Sequence, residues 1–183
     1  MINERQKQLL TTKRRFLNTL DRNYNSPTFG HMDHRLWRYK NTYYSNMRLF
    51  ESIYPITSSF IYKNKIFPEL HNNYKALEFI ENAIDIIARN QNPNGSFQEV
   101  YSGESSLVCT TFLSNAIIDS MQILKHHPSF KTKTMKKADK IINKSFNYLI
   151  NKSNIFCDNQ MYGLAYFYLS NHFFKQHHKN LQR

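Results

Sequence analysis

The sequence is poor in the residues that build covalently or metal-stapled scaffolds. Its 183 residues include two cysteines, four glycines, five prolines and one tryptophan. Cys109 and Cys157 lie far apart, each inside an apolar run, with no metal-ligand or redox spacing around either. Buried free thiols in a reducing compartment are the expectation. Scarce glycine beside 14 Phe and 12 Tyr excludes low-complexity disorder. Acids are also few: 13 Asp and Glu against 25 Lys and Arg leave a formal charge of +12. A charge of that sign suits nucleic acid or an anionic polymer. The chain is equally rich in Asn, Ile and Tyr, as AT-rich coding gives. Most of the charge is therefore read as compositional, and a nucleic-acid partner is not expected. The opening "MINERQKQLLTTKRRF" lacks a signal peptide's apolar core. No uninterrupted apolar run is long enough to span a membrane. There is no Gly-rich phosphate loop and no nucleophile elbow. These absences give the expectation of one cytoplasmic domain, with no membrane span, no cofactor and no metal.

Helical periodicity is what the chain does have. Residues 4–20 read as a basic amphipathic helix, with Leu9, Leu10, Phe16, Leu17 and Leu20 among Lys and Arg. Residues 21–44 are irregular, broken by Pro27 and Gly30. Residues 45–63 read as a helix that Pro55 should kink or divide, and Pro68 should open the next. Residues 69–90 carry the clearest stripe, with Leu77, Ile80, Ala83, Ile84 and Ile87 on one face and Lys75, Glu78, Asn82, Asp85 and Arg89 on the other. Residues 104–125 are apolar nearly all round, and such a helix must be buried nearly all round. The pattern then repeats: an amphipathic helix over 132–152, with Lys133, Lys136, Lys137, Lys140 and Lys144 facing out, and an apolar, aromatic one over 159–175. No alternating strand pattern occurs. Charged-outer and apolar-inner helices about sixty residues apart define a period. The expected fold is all-α: helical hairpins at about 1–63, 69–125 and 132–175, forming one domain over 1–183. Three hairpins make about half of an (α/α) toroid, whose usual ring has six. Exposed apolar surface, self-association or a second toroid half would follow.

Three collinear stretches carry a resemblance. "QNPNGSFQEVYSGESSLVCTTF" supplies Asn92, Pro93, Gly95, Ser96, Phe97, Glu99, Tyr101, Glu104 and Ser106. "SPTFGHMDHRLWRYK" supplies Ser26, Pro27, Thr28, Phe29, Gly30, Asp33, Trp37, Tyr39 and Lys40, continued by Arg48 and Glu51. "DNQMYGLAY" supplies Asn159, Gln160, Gly163 and Ala165. Together they resemble the toroid part of heparinase II/III-like proteins found with surface-polysaccharide genes. The departures are Asn94 where those proteins usually carry Asp, Gln98 where an acid is common, and Leu164 where Ala is expected. The resemblance covers an N-terminal part only and stops short of the rest of the toroid and the β-sandwich that follows it. It implies a truncated, polysaccharide-associated chain that binds a poly- or oligosaccharide, or is inactive alone.

On that resemblance the substrate-binding candidates are Trp37, Tyr39, Arg48, Glu99, Tyr101, Glu104, Asn159 and Gln160. Lyase chemistry on a uronic acid needs a base, an acid for the leaving oxygen and a partner for the carboxylate. Tyr39, Tyr101, Arg48, His34 and Asn159 are of suitable types, but no catalytic set follows from sequence. Each stretch also has a plainer reading. Asn94-Gly95 suits a tight turn, Ser96 or Glu104 suits a helix cap, and Phe97 and Tyr101 suit a plug. "HMDH" offers His31, Asp33 and His34 without a further well-spaced ligand, and reads as a hydrogen-bonded loop. His126-His127 and His177-His178 read as helix-end or surface residues. "WRYK" at 37–40 suits stacking on a sugar or base, or stapling a loop to the core. The alternative function is a basic α-solenoid-like module binding protein or nucleic acid.

Overall fold

A computed structural model describes residues 4–33, 45–63 and 65–152. Within them the chain is all-α: α1 (Glu4–Thr19), α2 (Ile53–Ile61), α3 (Tyr74–Asn90), α4 (Leu107–Leu124) and α5 (Thr132–Ile150). Two 3-10 turns, Met47–Ser52 and Pro68–Leu70, precede α2 and α3. Among the described residues there is no strand, only a single antiparallel bridge between Phe97 and Ser106. The expected helix over 159–175 and Cys157 lie outside the described residues.

Both prolines act differently from expectation. The break before α2 falls at Ser52, ahead of Pro55, where the 3-10 turn passes into the α-helix. Pro55 is the third residue of α2, a position whose N–H has no intrahelical acceptor. Pro68 opens a 3-10 turn, and α3 starts six residues later. There the Asn73 side chain accepts the Lys75 N–H as a cap.

The stripe expected on α3 is the one buried: Leu77, Ile80, Ala83, Ile84 and Ile87 all belong to the core. α4 is covered on nearly every side, with Cys109, Leu113, Ile117, Ile118, Met121 and Leu124 fully shielded. Three of its hydroxyls are satisfied inside, while that of Ser114 is buried without a hydrogen-bond partner among the described residues. Thr110, Thr111 and Ser120 donate to the carbonyls of Ser106, Leu107 and Ala116, one turn back, at 2.6, 2.8 and 2.7 Å. By length and composition alone α4 is apolar enough to cross a membrane; here it packs as a core helix.

α4 packs against α2 and α5, and α3 packs against α5 and α2. The amphipathic α3 and α5 thus touch one another, and the most apolar helix lies between α2 and α5. On α5, Lys133, Lys136, Lys140 and Lys144 are exposed as expected, but Lys137 pairs with Asp85 of α3 at the seam.

Glu81, buried on α3, reaches the start of α5. One carboxylate oxygen accepts the Lys131 backbone N–H at 3.2 Å, and the other pairs with the Lys131 ammonium. Lys131 has no capping side chain of its own, so α3 caps α5. Glu81→Ala is expected to cost about 1–3 kcal/mol, the range for bonds to a charged group. A urea-unfolding midpoint unchanged from the parent would rule this cap out.

Candidate functional site

The loop between α3 and α4 is a hydrogen-bonded structure. The Gln91 amide donates to the carbonyls of Gly95 and Ile141, both at 3.0 Å, fastening the loop to α5. Gly95 sits at φ +90°, and a Cβ there would fall 2.1 Å from the Lys144 carbonyl oxygen. Asn94 uses both ends of its amide. Its oxygen accepts the Ser96 N–H and hydroxyl at 3.0 and 2.7 Å, and its nitrogen donates to the Ser105 hydroxyl at 3.0 Å. An aspartate could not donate that last bond. Gln98 likewise accepts the Gly103 N–H at 3.2 Å.

Neither expected cap is the cap. Ser106 caps α4, accepting the Cys109 N–H at 3.1 Å, while Ser96 is spent on Asn94. Glu104 folds back into the loop, where one of its oxygens accepts the N–H groups of Glu99, Val100 and Tyr101 at 3.0, 2.8 and 3.3 Å. Desolvation pushes its carboxyl up, but these N–H donors outweigh it and hold the group below the usual carboxylate range. Phe97 is the plug, fully buried with its N–H on the Thr110 hydroxyl at 2.9 Å. Tyr101 is not a plug: it is 73% exposed.

The loop meets the 3-10 turn through the Met47 N–H, which donates to the Gln98 carbonyl at 3.3 Å. This junction assembles a polar cluster. Arg48 Nε lies 2.8 Å from Glu51 Oε1, and the two side chains are 32% and 28% exposed. The Arg48 guanidinium stacks over Phe112 of α4, 4.6 Å from the ring centroid. Arg48 Nη1 is shielded from solvent without a hydrogen-bond partner. Glu99 accepts the Ser106 hydroxyl at 2.9 Å. Burial drives the Glu51 carboxyl up to about 7, opposed by Arg48 and helped by the Glu99 charge. Burial and the same carboxylates push the Cys109 thiol far up, so it is an inert core group and not a nucleophile. The cluster thus offers a cation with a shielded, unsatisfied donor beside the Glu51 carboxyl, whose burial favours its protonated form, and beside Glu99.

Of the candidates named from sequence, Arg48, Glu99, Tyr101 and Glu104 fall at this junction; Glu104 serves there as a loop-former. Trp37, Tyr39, Asn159 and Gln160 lie outside the described residues, as do His34, Lys40 and His177-His178. Glu51 and Phe112 were not singled out as site residues. The Arg48–Glu51 spacing was visible, but its burial against α4 was not. Asp33 and His31 make a local network: Asp33 accepts the Asn46 N–H at 3.1 Å and lies 3.5 Å from the His31 ring. No group of three metal-ligating side chains occurs among the described residues. The "SPTFG" stretch is a turn clasped by Asp21, which accepts the Ser26 and Thr28 hydroxyls, both at 2.6 Å. His127 stacks edge-on against Phe60 and helps close the end of the core.

Comparison with known protein families, curated proteins and solved structures finds no match to this chain.

Two outcomes follow from this geometry. Gly95→Ala combines a left-handed backbone with a clash against the main chain of α5, and should cost about 2 kcal/mol or more. A denaturation midpoint within error of the parent would contradict the tight packing. Glu51 is favoured in its protonated form by the fold, so the native state binds more protons than the unfolded chain between about pH 4.5 and 7. Its contribution to stability is present below that window and is lost as pH rises through it, by about 1–3 kcal/mol. Unfolding curves at pH 5 and pH 7.5 should show this loss, and Glu51→Gln should abolish most of it.

Proposed function

We propose that this chain is a polysaccharide-associated helical module, built as about half of an (α/α) toroid and binding an acidic glycan at the Arg48 junction. The observation that carries the reading is the shielded, unpartnered Arg48 Nη1 held over Phe112 beside Glu51 and Glu99. A desolvated donor of this kind is costly unless an acceptor arrives, and a sugar carboxylate or hydroxyl is such an acceptor. Exposed Tyr101 on the same loop gives an aromatic face for a sugar ring. The alternation of amphipathic α3 and α5 with the nearly all-apolar α4 is what motivates the finer arrangement. Glu51, able to give or take a proton near neutrality, and Glu99 would make an acid–base pair. Turnover by this chain alone is not part of the proposal; a second toroid half, or another copy, would complete the ring.

The test is a titration with oligouronates and neutral oligosaccharides of matched length. The parent is expected to bind the oligouronate, and Arg48→Ala and Tyr101→Ala to weaken it about tenfold or more with unchanged circular dichroism. Equal affinity in folded variants would reject the site. Binding of single-stranded nucleic acid instead, with a steep salt dependence, would favour a basic helical binding module with no tie to glycans.

A further inference from the structure

A second recess lies apart from the Arg48 junction and shares no residue with it. It is a cavity of about 370 Å³ between the end of α1, the turn after it and the start of α3. Its volume is in the range of small-molecule pockets. The interior is apolar: Leu17 from α1, Ile56 from α2 and Phe79 from α3, with Phe29 from the turn. Tyr24, Phe29 and Phe79 form a continuous aromatic wall, with ring centroids 5.5 and 5.8 Å apart in sequence. The turn is held in place by the Asp21 clasp described above. Gly30 lets it lie directly on α3, since a Cβ there would stand 2.9 Å from that of Asn82.

The mouth is basic. Lys13 neutralises Glu69 at 2.8 Å. Asn73 has committed its side chain, donating to the Glu69 carbonyl and accepting the Lys75 N–H. Arg22 and Lys75 remain. Arg22 helps hold the Glu69 carboxyl low, but neither side chain makes a hydrogen bond or ion pair among the described residues. Both are exposed and both line the cavity. An apolar, aromatic-walled recess under two cationic side chains that make no hydrogen bond or ion pair among the described residues, with Glu69 already paired to Lys13, is complementary to an apolar tail that carries a single carboxylate.

We infer that this cavity binds an apolar monocarboxylate of medium-chain fatty-acid type, with the tail against Phe29 and Phe79 and the carboxylate at Arg22 and Lys75.

The probe is decanoate, titrated calorimetrically into the full chain below its micelle concentration, with decan-1-ol as the uncharged control. Saturable binding of one decanoate is expected, with decanol at least tenfold weaker. Lys75→Glu places an acid in the first turn of α3, where it suits the helix, so this variant should fold. It and Arg22→Glu should each weaken decanoate about tenfold or more and leave decanol unaffected. No saturable binding would overturn the inference. So would decanol binding as tightly as decanoate, or charge-reversed variants that keep full affinity for the acid.

Discussion

The structure turns on a helix that has little face to give to water. α4 leaves only a partly exposed stripe through Asp119 and Gln122, and Thr110, Thr111 and Ser120 return their hydroxyls to carbonyls one turn back. A single amphipathic neighbour could cover only one of its faces. α2 and the turn before it cover one flank and α5 another. The remaining elements then take positions compatible with this need: α3 packs against both α2 and α5, and its own stripe is buried in the core. At about 25 cal/mol per Å² of apolar surface, burying α4 outweighs any single hydrogen bond in the loops around it.

Given that frame, the loop before α4 has to turn sharply and still satisfy its backbone. It does so largely with its own side chains. Gln91, Asn94, Gln98 and Glu104 each serve main-chain groups inside the loop. Buried main-chain polar groups need such partners. The result is a hydrogen-bonded platform against which the 3-10 turn docks, and the Arg48–Glu51 pair is positioned by that docking together with the Asn46 cap on the Arg48 N–H.

How much of this was legible in sequence follows from what kind of information each feature needs. The α3 stripe and the all-round burial of α4 are periodic, and periodicity is written in one dimension. The tight Asn94-Gly95 turn was equally plain, because few residues tolerate that backbone. The sequence suggests Ser96 or Glu104 as the cap of α4, but Ser106 is an equally good capping type, and only the fold shows which residue meets a free N–H. The break expected at Pro55 falls three residues earlier, at Ser52, because helical first turns accept proline silently. Glu51 and Phe112 stayed hidden for a different reason. Their meaning depends on a contact between segments some sixty residues apart, and no local pattern reports burial of that kind.

The chemistry of the α3–α4 loop divides its labour in a way that matters when acidity changes. Its turn is built from amides and hydroxyls, Gln91, Asn92, Asn94 and Ser96, which neither gain nor lose protons across the ordinary range. Its one structural acid, Glu104, is kept ionised by the backbone around it. Glu51, on the rim, is the group free to change. The frame therefore behaves as an electrically constant mount and the rim as a variable charge. A shift from neutral to mildly acidic surroundings would make the Arg48 junction less negative while leaving its shape where it was.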